Sequence, residues 1–587
     1  MRPVAPPRPR LAPPTRGSAA PPRQRPAAAQ PPRRGARRWP TPPPGPRIAA
    51  AATVDNAPRT LSRPVKIVAI APAGAPSPVA RGEAGVTWGD VLAHEAVRLA
   101  WADAGLGMIV LDEGVEGGVF DEAVKGADVL AFVGGARGAG PAASLAARPS
   151  ADAVPTLAAF DCAPSVTSLA RVGGAPVGGP LARALARLPW SRSAAAARAT
   201  ATARAFWARG HSDDVLTALL ILVDAGVERV ARIDSLRGRG LGTLACMLRH
   251  CRESVLACVT DPDCKAGLDC LTACPPGDQV GSGARAGRWR RPARVSGGLV
   301  STLASTRPPP PLPSPLQVCA YRCIVSHESP EFAAFSLCVL TRHGCLGVSA
   351  SIPSMPAPEP QAEWRGEAMS VAVGHRIFVG WLAAGDPWSW RVAAGQNPAY
   401  DQFGNQARWR RGRGREAGAT TRRRAPTPAL PPAPQIQLFY HGAAKGTFWY
   451  DPVFQVTTLG GETVWRRRHY RVRPGPAAGV FLLSVLDNGV VSQEVWRIVD
   501  CPDDLSYALF AYVGAAAAAG QAYTGAVLCT RDGAWPPAVH ADRLAASLER
   551  AGVKTWELFR VASSDAAGAP LAIDGRDAEP DPVRGRG

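Results

Sequence analysis

"FWYDPVFQVTTLGGETVWRRRHYRVRPG", residues 448 to 475, is rich in aromatic and β-branched residues and punctuated by glycine, and it reads as short β-strands. Val464, Arg466 and Arg468 alternate with Trp465, Arg467 and His469, so a strand here presents two different faces. Runs of the same kind surround it: "SWRVAAG" (389–395), "GVFLLSVLDNG" (479–489), "EVWRIVD" (494–500), "YALFAYVG" (507–514) and "YTGAVLCTRDG" (523–533). Many short antiparallel strands in one region suggest a closed barrel, which removes exposed sheet edges. "ADRLAASLERAGVKTWELFRV" (541–561) then supplies a helix and a last short strand.

The arginines of that stretch raise the question of a polyanionic partner, since the chain carries a formal charge of +20. The charge sits mostly elsewhere. Residues 1–54, 281–317 and 404–434 hold eleven, six and eight arginines against a single acid, more than the whole excess, which leaves the foldable remainder mildly acidic. In "WRRRHYRV" (465–472) alternate charges point outward as a solvated face or toward the barrel wall or mouth, and no nucleic-acid partner is expected. Residues 1–60 are rich in Arg, Pro and Ala with no long apolar stretch, as in an organelle transit peptide, and a disordered Pro-rich tail has the same composition. No apolar run is long enough for a transmembrane helix; "VLTALLILVDAG" (215–226) reads as a buried helix.

Upstream, "KIVAIAPAG" (66–74) reads as a buried strand and "WGDVLAHEAVRLAWADAG" (88–105) as an amphipathic helix. The alternation continues through "MIVLDEG", "FDEAVKGA" and "DVLAFVGG", giving a small α/β domain over 65–235. "GGARGAG" (134–140) follows a strand but lacks both the P-loop ending and the dinucleotide fingerprint, and a plain turn is favoured.

Ten of the thirteen cysteines lie between Cys246 and Cys345. An even, dense set implies disulfides in an oxidising compartment, because a small helical segment buries too little core alone. Cys-x₂-Cys pairs and nearby His ligands, which zinc would ask for, are not found, and no metal is expected. Cys270 and Cys274, like Cys319 and Cys323, are four apart and share a helix face. Antiparallel helices would join Cys270 to Cys323 and Cys274 to Cys319.

The cysteine spacing followed by "WSWRVAAGQNPAYDQF" (388–403) resembles the violaxanthin de-epoxidase family, and "FWYDPVF", "WRRRHYRV", "SVLDNGV", "WRIVD" and "YTGAV" look most like its de-epoxidase-related branch. The resemblance implies a multidomain α+β chain: a small N-terminal α/β domain, a disulfide-rich helical segment over 241–346 and a C-terminal lipocalin-like antiparallel β-barrel over 364–565, with a disordered tail at 566–587. It also implies the pairs Cys246–Cys264, Cys251–Cys258, Cys270–Cys323, Cys274–Cys319 and Cys338–Cys345, each contributing roughly 2 to 4 kcal/mol, so that reduction unfolds this segment before the barrel. The family lacks the segments 281–317 and 404–434. Both end in Pro-rich tracts closing on Gln, "RPPPPLPSPLQ" and "RAPTPALPPAPQ", as a translated polypyrimidine tract and acceptor would, so both are expected to be retained introns or else disordered insertions.

In the resembled enzymes a carotenoid ring epoxide is opened and reduced by ascorbate, with no metal or nicotinamide, and the oxygen leaves as water. The resemblance thus implies a chloroplast xanthophyll-cycle enzyme at the thylakoid, in lumen or stroma, with a carotenoid substrate, a lipid surface and a homodimer in prospect. Opening an epoxide needs a proton at its oxygen, and a carboxylic acid kept neutral in an apolar cavity is a natural donor. Asp401 and Glu494 are the catalytic candidates, and Gln435, Tyr512 and Trp390 the substrate-binding ones. Their plainer readings are an Asx-turn residue for Asp401, a strand-edge surface carboxylate for Glu494 and a packed aromatic for Tyr512. Gly404, Val513 and Cys529 stand where the de-epoxidases proper carry an acid and two tyrosines. A non-catalytic carotenoid-binding lipocalin and a carotenoid epoxide isomerase therefore stay open as alternatives.

Overall fold

Strand β1 (Val65–Ala71) is apolar without a break from Ile67 to Ala71 because both its faces are covered there. It lies between β2 (Leu106–Asp112) and β3 (Val129–Val133), and β4 (Thr156–Phe160) joins β3, giving a parallel sheet in the order β2-β1-β3-β4. Helix α1 (Trp88–Ala102) starts at a capping box in which Thr87 and Asp90 bond reciprocally. One face of the sheet packs on α1, α3 (Arg192–Trp207) and α4 (Ser212–Gly226), the other on α2 (Gly117–Val124). The run read as a buried helix is α4, most of whose residues are buried, without a break from Ala218 to Asp224.

The computed structural model describes residues 61–80, 85–134, 154, 156–167, 170, 192–230, 241–273, 319–380, 390–396, 435–441 and 448–561. Residues 1–60, the glycine-rich 135–140, the segments 281–317 and 404–434, and residues 566–587 lie outside them. No helix among the described residues is long and apolar enough to cross a membrane.

The cysteine-rich segment is helical: α5 (Leu241–His250), α6 (Arg252–Thr260), α7 (Pro262–Ala273), α8 (Cys319–Ser326) and α9 (Pro330–Ser336), the last running on into a π-turn at Leu337–Arg342. Its bridges correct three expected pairings. Cys246 joins Cys345, Cys251 joins Cys338 and Cys258 joins Cys264, in place of Cys246–Cys264, Cys251–Cys258 and Cys338–Cys345. The reason is helix geometry: Cys251 is the N-cap of α6 and Cys258 lies seven residues into it. At a rise of 1.5 Å per residue that spacing is about 10 Å, beyond the reach of a disulfide. Cys258 instead closes on Cys264 across the α6–α7 corner, with Cα atoms 5.1 Å apart. Cys270 is bonded to Cys323, joining α7 to α8. Cys274 lies outside the described residues, and with it the expected Cys274–Cys319 bridge.

The third part is a curled ten-stranded antiparallel sheet, lipocalin-like in form. Its strands are β5 (Arg391–Gly395), β6 (Gln435–His441), β7 (Phe448–Thr457), β8 (Thr463–Arg467), β9 (Tyr470–Pro474), β10 (Val480–Asp487), β11 (Val490–Asp500), β12 (Ala508–Ala516), β13 (Gln521–Thr530) and β14 (Phe559–Arg560). β7 is paired on one edge by β6 and on the other by β8 and then β9. The ladder continues β9-β10-β11-β12-β13-β5-β14. Among the described residues no ladder joins β6 to β14 or β5, so the strands curl around a lumen without the hydrogen-bonded closure expected of a full barrel. The residues 397–434 that link β5 to β6 are those not described at this seam.

Period-two alternation fills the lumen. Phe448, Tyr450, Phe454 and Val456 of β7, Trp496 and Ile498 of β11, and Phe510 and Tyr512 of β12 form one buried cluster. The opposite face of β12 is also buried, under α11 (Ala541–Arg550), whose Leu544 and Leu548 pack on Leu509 and Ala511. Two elements enter the lumen near opposite ends of β7. α10 (Val371–Val379) inserts Phe378 against Phe448 and Tyr450, and α8 brings the fully buried Val325 beside Arg466, the register partner of Phe454.

Most of the arginine run belongs to that second contact. Arg466 and Arg468 both pair with Glu328, which follows α8, and Arg468 also pairs with Asp487. Arg467 and His469 face the other way, onto the fully buried Asp451.

Candidate functional site in the barrel lumen

Glu494 lies on β11 between outward-facing Gln493 and Val495, so the pleat turns its side chain inward with Trp496 and Ile498. It is 6% exposed, which excludes the strand-edge surface reading. The Trp496 indole N–H donates to its Oε2 at 2.6 Å, and the Tyr523 hydroxyl donates to Oε1 at 2.8 Å. The Tyr470 hydroxyl lies at the limit of a bond to Oε1, 3.5 Å away. Burial pushes the Glu494 carboxyl above the usual carboxylate range, and the three donors, which favour the ion, only partly offset it. The Tyr470 and Tyr523 phenols are driven well up by the same burial and by the neighbouring carboxyl.

Register explains how these groups meet. Leu483, Glu494, Gly514 and Tyr523 are successive cross-strand neighbours on β10 to β13, and Phe481, Trp496, Tyr512 and Gly525 form the adjacent row. Each row needs its glycine. A Cβ on Gly514 would lie 2.6 Å from the Tyr523 ring and 2.9 Å from Glu494 Cγ, and one on Gly525 would lie 2.4 Å from the Tyr512 hydroxyl. Across the lumen, Tyr450 hydrogen-bonds to Gln437 Oε1, and its ring centroid is 5.6 Å from Tyr470 and 6.1 Å from Trp496.

The predicted residues fall unevenly. Glu494 and Tyr512 share the lumen, Tyr512 stacked on Trp496 with centroids 5.2 Å apart. Trp390 is buried in the same cluster, and its indole N–H donates to the Ile377 carbonyl, fastening α10. Gln435 sits in β6 opposite Phe454, while Asp401 lies outside the described residues. Cys529 is a buried lumen thiol, its ionisation strongly disfavoured by burial. Trp496, Tyr470, Tyr523, Tyr450 and Gln437 were missed. The available signal was Glu494 two residues before Trp496, which puts both on one face of a strand.

Other candidate clusters are already satisfied. His94, Glu95 and Glu557 come close enough for a metal ion, but the Arg98 guanidinium contacts both carboxylates and fills that role. Burial raises the Glu95 carboxyl to about 7. Burial would raise Glu557 too, but the His94 hydrogen bond and Arg98 pull it down to about 2. Glu557 also accepts from Ser212 of α4 and from Gln396 at the end of β5, so this node ties the α/β sheet to the curled sheet. A cleft of about 580 Å³ between α1, Met355–Pro358 and the end of α11 has Trp101 and Trp556 in its walls. Its acids are engaged, Asp90 in the α1 cap and Glu549 with Lys554, so the lumen is the stronger chemical site.

Solved structures similar to part of the chain are lipocalins: the siderocalin Ex-FABP (13% identity, TM-score 0.17), apocrustacyanin C1 (13%, 0.16) and lobster apocrustacyanin A1 (12%, 0.16). Each match covers 23 or 24% of this chain and 78% of the other, a likeness too slight to carry an argument. No curated protein sequence matches. The family model of the VDE lipocalin domain matches residues 243–562, from the first helix of the disulfide segment to the last strand of the curled sheet. With more than half its length matched, the chain belongs to the violaxanthin de-epoxidase family.

Proposed function

We propose that this protein is a chloroplast xanthophyll-modifying enzyme that removes the epoxide oxygen of a violaxanthin-type carotenoid, with ascorbate as reductant. The observation that carries the reading is Glu494, a carboxyl biased toward its neutral form by burial inside an aromatic lumen. Such a group can protonate an epoxide oxygen as its C–O bond breaks. Ascorbate then gives two electrons and becomes dehydroascorbate, the carbon–carbon double bond is restored, and the oxygen leaves as water. Trp496 and Tyr523 hold the carboxyl in place. Phe378 stands at the centre of the lumen, in contact with Phe448, Phe481, Trp496 and Phe510, so α10 must give way as the carotenoid ring enters.

A second reading, a carotenoid carrier or epoxide isomerase, draws support from Cys529, a lumen residue standing where the resembled de-epoxidases carry a tyrosine; Val513 lies on the opposite face of β12 from Tyr512 and favours neither reading. The two are separated by incubating the protein with violaxanthin, lipid and ascorbate at mildly acid pH and following the pigments by chromatography. De-epoxidised products that need ascorbate are expected. Bound violaxanthin recovered unchanged, or a rearranged epoxide formed without ascorbate, would replace the leading reading with the carrier or the isomerase.

A further inference from the structure

We infer that Gln437 reads a hydroxyl on the ligand ring, fixing how that ring is turned when its epoxide reaches Glu494; the inference rests on the proposed carotenoid reading of the lumen. Gln437 lies on β6 opposite Pro452 and is 7% exposed. Its Oε1 accepts from the Tyr450 hydroxyl, but its Nε2 has no hydrogen-bond partner among the described residues. A buried amide NH₂ with both donors idle is costly, and native structures leave few such groups without a reason. Other polar groups of the lumen are answered, Glu494 by Trp496 and Tyr523 and the Trp390 indole by Ile377.

Position gives the idle amide its meaning. Tyr450 touches Gln437 at its hydroxyl and stands within ring contact of Tyr470 and Trp496, two of the three rings that reach Glu494. The carboxyl and the amide are thus two polar points set apart by aromatic rings, among Phe448, Phe481 and Phe510. An apolar ring with an epoxide and a separate hydroxyl meets both points. An alcohol also suits either orientation of the amide: it accepts from Nε2, and if the amide turns so that Tyr450 receives the N–H, it donates to the bared Oε1. An ether or epoxide oxygen answers only the first arrangement.

The test compares binding of violaxanthin with that of the diepoxide of β-carotene, which has the same epoxide rings without hydroxyls, by quenching of intrinsic tryptophan fluorescence. The native protein should prefer violaxanthin by about ten-fold, the scale expected when a buried polar group is left unpaired. Gln437→Met, the nearest apolar shape, should bring the ratio to within about two-fold while diepoxide affinity is kept. A preference that survives in Gln437→Met overturns the assignment. If that variant binds neither pigment, the native ratio decides, and a ratio near one overturns the assignment alone. Failure of the native protein to bind either pigment instead removes the carotenoid reading of the lumen, and this inference with it.

Discussion

Replacing Glu494 by Gln separates the charge of this group from its shape. The amide can keep the network, its oxygen accepting from the Trp496 N–H and its NH₂ donating to the Tyr523 oxygen, so packing and pigment binding should persist. The carboxyl is raised in the folded protein, so the folded state holds its proton more tightly than the unfolded chain does. Its favourable contribution is complete below the ordinary glutamate range and is lost as pH climbs from there to the raised value. Each unit of elevation is worth about 1.4 kcal/mol. Gln cannot ionise, so urea unfolding of the two proteins should show a stability difference that is flat in acid and shifts against the native protein by about 1.4 kcal/mol per unit of elevation, then levels off. Under the de-epoxidase reading turnover falls about 10² to 10⁴-fold, the usual weight of a general acid, with violaxanthin binding kept. A native protein that gains stability relative to the variant as pH rises would refute the neutral-carboxyl argument, whatever the activity does.

Phe378→Ala should cost about 3 to 5 kcal/mol of stability by opening a cavity in the lumen, yet tighten or speed carotenoid binding if Phe378 must yield to the ligand; thermal melts and binding kinetics read the two effects. Peptide mapping under non-reducing conditions should recover Cys246 with Cys345 and Cys251 with Cys338, and peptides joining Cys251 to Cys258 would contradict the fold of α6. In the chain-entropy estimate the Cys251–Cys338 bridge, spanning 87 residues, restricts the unfolded chain by about 4.6 kcal/mol. Cys258–Cys264, spanning 6, gives only about 2.2 kcal/mol, so serine replacement of the first pair should lower the unfolding midpoint more.

The strands of the curled sheet were legible because alternating burial leaves a period-two trace, and α4 because continuous burial leaves an apolar run. Glu494 could be singled out as an acid in the family's register, but its partners could not. Tyr470 hides in a run that draws the eye for its charge, and Tyr523 reaches Glu494 only because Gly514 on the intervening strand has no side chain in the way. Such rows are set by strand register, which a single chain does not print. The disulfide error has a similar source: the spacing of Cys251 and Cys258 says nothing until both are known to lie on one helix. Gln435 and Gln437 share one face of β6, and the sequence does not show which of them meets the Tyr450 hydroxyl; the pairing of Gln437 with Pro452 does.

The arginine run carries a further consequence for how the molecule comes apart. Reduction was expected to unfold the disulfide segment before the barrel, as if the two were separate. Glu328 pairs with both Arg466 and Arg468, Arg466 donates to the Val325 carbonyl, the Ser326 hydroxyl accepts from Leu459 N–H, and Thr341 donates to the Gly489 carbonyl. Removing the segment would expose Val325 and leave two guanidiniums, 19% and 11% exposed, facing the end of an apolar lumen without their shared carboxylate. Breaking a buried ion pair from one side costs about 3 to 5 kcal/mol, comparable with a bridge itself. The two parts should therefore lose structure in one transition on reduction, with near-ultraviolet signals of the lumen aromatics falling together with the helical signal. Lumen signals that stay intact after the helices have melted would show that the arginine contacts do not couple the two.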